Sequence, residues 1–153
     1  MAKDPKLLPS DTQRQLAKDL FNHVWTLLEK ASRTAAESDE MLHAAHASRH
    51  HWGVVGDAVN LARGEWQVSR VYAVLGRPEP ALHHARRCLE LCEEHGIGDF
   101  DLAFAHEAMA RAYGVAGEAA GRDRHLALAR AAGEGISEPG DRDWLNQNLG
   151  TIH

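Results

Sequence analysis

The sequence predicts an all-α protein of stacked antiparallel helical hairpins, with about six helices and a short C-terminal one. Three observations carry this. Helical periodicity runs through nearly the whole chain, and no stretch alternates apolar and polar residues for the length of a strand. Alanine, leucine, arginine and glutamate dominate, and β-branched runs are scarce. Glycines, prolines and capping residues divide the periodic stretches at short intervals.

The first helix is expected from about Asp11 to Ser32, opened by a Ser10/Gln13 capping box. Leu16, Leu20, Val24, Leu27 and Ala31 fall on one face of it. The second runs from about Ala35 to Val55, with Thr34 and Glu37 as a second capping box. Gly56 ends it, Asp57 caps the third, and the third ends at Gly76. Pro78 and Pro80 suit the first turn of the fourth helix, which stops at Gly96. The fifth lies between Gly98-Asp99 and Gly117, and the sixth covers about Gly121 to Ala132. The remainder, 133–153, is a tail with a short helix around Asp141 to Leu149. The division is therefore a polar tail over 1–10, hairpins over 11–132 and the C-terminal tail, all in one domain of 153 residues.

A domain of this size buries enough surface, about 70% of what its unfolded chain exposes, to fold without disulfides or metal. Its two cysteines, Cys88 and Cys92, are four apart on one helix, poorly placed to bond to each other. Reduced thiols fit a cytoplasmic protein. The net charge is −5 with no basic block, which argues against nucleic acid as a partner. No apolar run approaches membrane-spanning length, so no membrane is expected.

Tyr72-Ala-Val-Leu-Gly76 and Tyr113-Gly-Val-Ala-Gly117 match in pattern and lie about 40 residues apart, a repeat period typical of stacked hairpins. Trp52-Gly-Val-Val-Gly56 has the same form at another spacing. A single hairpin cannot bury its apolar face alone, so neighbours complete the core. With Ala81, Ala85 and Cys88, and more loosely Leu126 and Ala129, this pattern resembles the tetratricopeptide repeat over about residues 57–132. The resemblance implies a right-handed superhelical scaffold with a concave face that binds a peptide or protein. It implies no catalytic residues. No P-loop, nucleophile-elbow or H-E-x-x-H motif is present either.

Two groups of residues are candidate sites. On the third helix Arg63, Trp66 and Arg70 share a face, with Asn60 at its edge. Arginine forks grip carboxylate or phosphate, and tryptophan offers a flat surface. The competing reading is structural: Trp66 packs on the next hairpin, and the arginines pair with acids such as Glu37, Asp39 or Asp101. Trp25 on the first helix and His106 on the fifth complete the ligand-binding set. The second group is His43, His46 and His50, on one stripe of the second helix with Asp39, opposite Met41, Ala45 and Trp52. Imidazoles suit a divalent transition metal, with a further ligand from His23, His106 or Glu107 on another helix, and the competing reading is a solvated polar face. On the fourth helix, His84, Cys88, Cys92 and His95 share a face, and small-residue packing is the better account of the cysteines.

The expected function is a helical interaction module whose polar-aromatic groove takes a peptide, protein or small anionic ligand. The alternative is a small-molecule or metal-binding protein, enzymatic or not, using the histidine stripe beside Arg63, Trp66 and Arg70. Self-pairing into a homodimer through the alanine-rich sixth helix is a third option.

Overall fold

The structure, a computed structural model, describes residues 8–153. Among them are seven helices and no strand: α1 (Ser10–Leu28), α2 (Ala35–Val55), α3 (Ala58–Val74), α4 (Pro78–Glu94), α5 (Asp99–Val115), α6 (Ala119–Gly133) and α7 (Pro139–Leu149). The first six pack as the hairpins α1/α2, α3/α4 and α5/α6. α3 also meets α1 and α5, whereas no two even-numbered helices come into comparable backbone contact. The inner face of the stack is therefore built from α1, α3 and α5.

Local chemistry sets the boundaries. Thr34 accepts from the Glu37 amide and Glu37 reaches back to the Thr34 amide, a reciprocal cap. Asp57 and Asn60 do the same at the start of α3. α3 and α5 end alike. Gly76 and Gly117 hold φ of +71° and +76°, and the next amides, Arg77 and Glu118, donate back to the carbonyls of Tyr72 and Tyr113. This is the Schellman arrangement, which needs a residue tolerant of the left-handed region. The paired tyrosine–glycine segments are thus equivalent helix ends. Gly56 is not their counterpart: its φ is −90°, with an extended backbone.

The N-terminus of α1 departs from expectation. The helix begins at Ser10 rather than after it, Pro9 occupies the cap position, and no side chain caps it. Gln13 is buried and turns elsewhere, donating to the Leu8 carbonyl and meeting His51. The helix also stops at Leu28, before Ala31 and Ser32, where Arg33 donates to the carbonyls of Leu27 and Leu28. The N-terminal tail lies largely outside the described residues.

The core is rich in small side chains. Ala17, Ala45, Ala62, Ala81, Ala85, Ala105 and Ala110 are essentially inaccessible, which lets the helices approach closely. Buried hydroxyls tie the two helices of a hairpin to each other: Ser48 Oγ of α2 donates to the Ala17 carbonyl of α1, and Ser69 Oγ of α3 to that of Ala81 in α4, both at 2.8 Å. Val24, Val68, Val71 and Met41 fill the space between the first hairpin and α3. Burial of each such side chain contributes about 1.5–3 kcal/mol.

α7 carries the functional consequence. It packs against α5 and α6, with Leu145 and Leu149 in the main core cluster, and reaches across the inner face of the stack. Trp144 stands 5.9 Å from Trp25 of α1, and Asn148 accepts from Arg70 of α3. Much of the groove expected to lie open is covered by the chain's own last helix.

Candidate functional site

Aromatic residues are few here, yet all three phenylalanines and three of the four tryptophans line one cavity. Phe21 and Trp25 come from α1, Trp66 from α3, Phe100 and Phe104 from α5, and Trp144 from α7. The cavity measures about 220 Å³. Trp25 is the hub, with ring centroids 5.6 Å from Trp66 and 5.9 Å from Trp144. Trp66 meets the edge of Phe104 at 5.8 Å, and Phe104 lies 4.7 Å from Phe100. These are tilted and edge-to-face pairings, the favourable ones for aromatic rings. Ala62 and Cys88 complete the wall. A hydrogen bond to Cys92, then burial, pushes the Cys88 thiol well above its ordinary range, so this wall is uncharged.

Arg63 and Asp101 stand at the edge of the cavity. Arg63 Nε and Nη2 reach the two Asp101 oxygens at 2.8 and 3.2 Å, a forked pair between α3 and α5. The Arg63 side chain is half exposed, and its guanidinium lies 5.7 Å from the Phe100 ring centroid. Of the three acids considered from sequence, Asp101 is the partner of Arg63, while Glu37 pairs with Lys30. The forked pair leaves Nη1 of Arg63 without a hydrogen bond to the described protein.

Beneath Trp66 lies a buried polar knot. Glu107 is fully inaccessible. It accepts from Trp66 Nε1 at 2.8 Å, Arg70 Nη1 at 3.2 Å, and Arg111 Nε and Nη2 at 2.9 and 2.7 Å. Arg70 also donates to Asn148 Oδ1, and Arg111 to the Asn148 carbonyl and Thr151 Oγ1. One carboxylate thus orients the Trp66 indole and both arginines, and the arginines hold the end of α7. Burial, then the charge of Arg111, pushes Arg70 down to about 10, still a cation at neutral pH. With its N–H used on Glu107, Trp66 offers the cavity only its carbon surface.

The structure therefore brings together Trp25, Arg63 and Trp66 and separates the rest. Arg70 faces Glu107, not the cavity. Asn60 lines a neighbouring hollow with Phe21, Trp52 and Arg63, and its side chain is committed to the α3 cap. His106 lies on the other side of α5, where its Nδ1 is 3.0 Å from Nδ1 of His125 and Tyr113 stacks over His125. Phe21, Phe100, Phe104 and Trp144 escaped the sequence reading. Phe100 and Phe104 sit four apart on α5, but Phe21 and Trp144 lie on other helices, and only the scarcity of aromatics in the composition could have flagged the set.

The histidines of α2 follow a different course. His43, His46 and His50 are all exposed. His50 lies against His51, with centroids 5.4 Å apart. His46 instead meets α3 and α4: its Nε2 is 2.9 Å from Tyr72 Oη and its ring centroid 5.5 Å from that of His84. Among the described residues no three His, Cys, Asp or Glu side chains converge as a ligand set. Cys88 and Cys92 are buried and free, and His84 turns to Glu65 rather than to them. No described helix is long and apolar enough to cross a membrane. In comparison with known proteins, no family model and no curated protein sequence matches the chain.

Proposed function

We propose that the chain is a binding module whose ligand seats a flat, ring-sized apolar group in the aromatic cavity and sets an acidic group against Arg63. The observation that carries this reading is the convergence of six of the few aromatic side chains on one cavity. These rings line a cleft that is open to solvent, with Trp144 42% exposed, and apolar rings gathered at an open cleft mark a place where a partner's apolar group is buried. The tetratricopeptide-like character of residues 57–132 belongs to the same proposal. It is supported by the matching Gly76 and Gly117 helix ends and by the buried Ala81, Ala85 and Cys88. Repeats of that kind most often recognise a peptide or protein, and a side chain of such a partner, bearing or adjoining a carboxylate, meets the requirement. Because α7 covers much of the inner face, the module favours one anchored group over a long peptide laid along an open groove.

N-acetyl-phenylalanine and its neutral amide are suitable probes, followed by calorimetry or ligand-observed NMR. The acid is expected to bind more tightly than the amide. Trp25→Ala weakens both by about tenfold or more, in keeping with the loss of an aromatic anchor. Arg63→Gln removes the preference for the acid. Equal binding by wild type and Trp25→Ala would contradict the proposal.

A further inference from the structure

A second constellation lies on another part of the molecule, where α2, α3 and α4 meet. Arg49 Nε reaches Glu65 Oε1 at 3.0 Å, and the other Glu65 oxygen lies 2.6 Å from His84 Nδ1. Tyr72 Oη meets His46 Nε2, and the His46 and His84 rings face each other edge to face. Glu65 is 9% exposed and His84 19%, while His46 is open to solvent. Burial raises the Glu65 carboxyl, but His84 and Arg49 outweigh it, and the group stays ionised at neutral pH.

This geometry has the features of a metal site in waiting. A carboxylate that accepts from Nδ1–H fixes the imidazole as the tautomer with a free lone pair on Nε2, which is how proteins orient ligating histidines. His84 is held in this way by Glu65, and Glu65 is itself held by Arg49. His46 is placed differently: its Nε2, the nitrogen that would face the ion, meets the Tyr72 hydroxyl at 2.9 Å and must exchange that hydrogen bond for the metal. Two imidazoles sharing one tetrahedral ion at metal–nitrogen distances of 2.0–2.1 Å have centroids about 5 Å apart. The observed separation is 5.5 Å. That spacing matches a shared ion once the two side chains turn their Nε2 atoms toward it.

We infer that His46 and His84 bind one divalent transition-metal ion, Zn²⁺, Cu²⁺ or Ni²⁺, with Glu65 positioning His84 and with Tyr72 Oη and water at the remaining positions. Each imidazole gives its Nε2 lone pair; at His46 the ion takes the place of the Tyr72 hydrogen bond, and the phenol coordinates through an oxygen lone pair with its proton turned to solvent. Borderline ions are the class that imidazole prefers, and calcium or magnesium would not compete. The site uses one histidine of the α2 stripe and pairs it with a residue of α4, so His43 and His50 take no part. It is independent of the aromatic cavity.

The test is calorimetric titration of untagged protein with Ni²⁺ and with Zn²⁺, beside Cu²⁺ electron paramagnetic resonance. One equivalent of metal is expected to bind in the micromolar range, with the Cu²⁺ spectrum carrying two imidazole nitrogens. His46→Gln and His84→Gln each abolish that binding, while Glu65→Gln weakens it by about 10–100-fold. Both histidines are partly exposed, and circular dichroism reports whether each variant keeps its helices. As a second check, His43→Gln/His50→Gln binds metal like wild type. Absence of binding, binding that survives His84→Gln, or binding lost in the His43/His50 variant would each overturn the assignment.

Discussion

Replacing Glu107 by glutamine tests the internal logic of the fold most severely. The side chains are nearly isosteric, so the change removes a charge and little volume. Four donor contacts end on this carboxylate, two of them from Arg111, and its own exposure is zero. Without it, Arg70 and Arg111 remain as two buried guanidinium groups with no nearby counter-charge. Their side chains are 16% and 12% exposed, which leaves them little solvent. Breaking a buried ion pair by removing one partner costs about 3–5 kcal/mol. Asn148 and Thr151 still accept from the arginines, so the lower end, about 3 kcal/mol, is expected. For a domain of this size that lowers the melting temperature by roughly 6–12 °C. Urea unfolding followed by circular dichroism gives the energy, and tryptophan emission reports the environment of Trp66, whose indole N–H loses its charged acceptor. The cycle with Arg70→Met should show strong coupling, because removal of one surplus cation offsets the missing carboxylate. A cost below about 1 kcal/mol for Glu107→Gln, or a cycle with no coupling, would refute the reasoning.

Two further predictions concern stability. The 3.0 Å Nδ1–Nδ1 contact of His106 and His125 requires one donor and one acceptor, so it cannot survive protonation of both rings. Burial, then the neighbouring His106 charge, pushes His125 down to about 4, and burial also lowers His106. The folded pKa lies below the unfolded value, so the stabilisation is complete above about pH 6.5 and is lost as the pH falls toward 4. The slope between pH 6.5 and 5, before most carboxylates titrate, should flatten in His125→Gln, and an unchanged slope in urea titrations would count against it. At the start of α3, Asp57→Ala removes the acceptor for the Asn60 amide and should cost about 1 kcal/mol, whereas Ser10→Ala, whose hydroxyl caps nothing, should cost a few tenths at most. Chemical denaturation of the two variants side by side checks the contrast.

Helix punctuation was legible because it is local. Asp57, Gly76, Pro78, Gly96 and Gly117 act through their own turns, and each marks a boundary in the structure. Ser10 had the same local signal and misled, because a tertiary contact overrode it: Gln13 is drawn toward His51 instead of back to the cap. The hairpin pairing was legible from the repeat. The site was only partly so. Trp25, Arg63 and Trp66 stood out as residue types on a shared face. Arg70 shared that face but is drawn inward by Glu107, which lies 37 residues away in sequence. The position of α7 could not be read at all. Its sequence looks like a short amphipathic helix, and nothing local says that Trp144 closes an aromatic cavity or that Asn148 meets two arginines. The His46–His84 pairing was equally invisible, since it depends on the lateral offset of α2 and α4.

The central claim, that the aromatic cavity binds a ligand, is tested most directly by labelling the four tryptophans with 5-fluorotryptophan and recording ¹⁹F NMR. Trp25, Trp66 and Trp144 line the cavity, while Trp52 lies outside it under Arg14 and serves as an internal control. On addition of N-acetyl-phenylalanine the three cavity resonances should shift together and saturate, with Trp52 left in place. Resonances that stay fixed at saturating probe, or a shift confined to Trp52, would contradict the account.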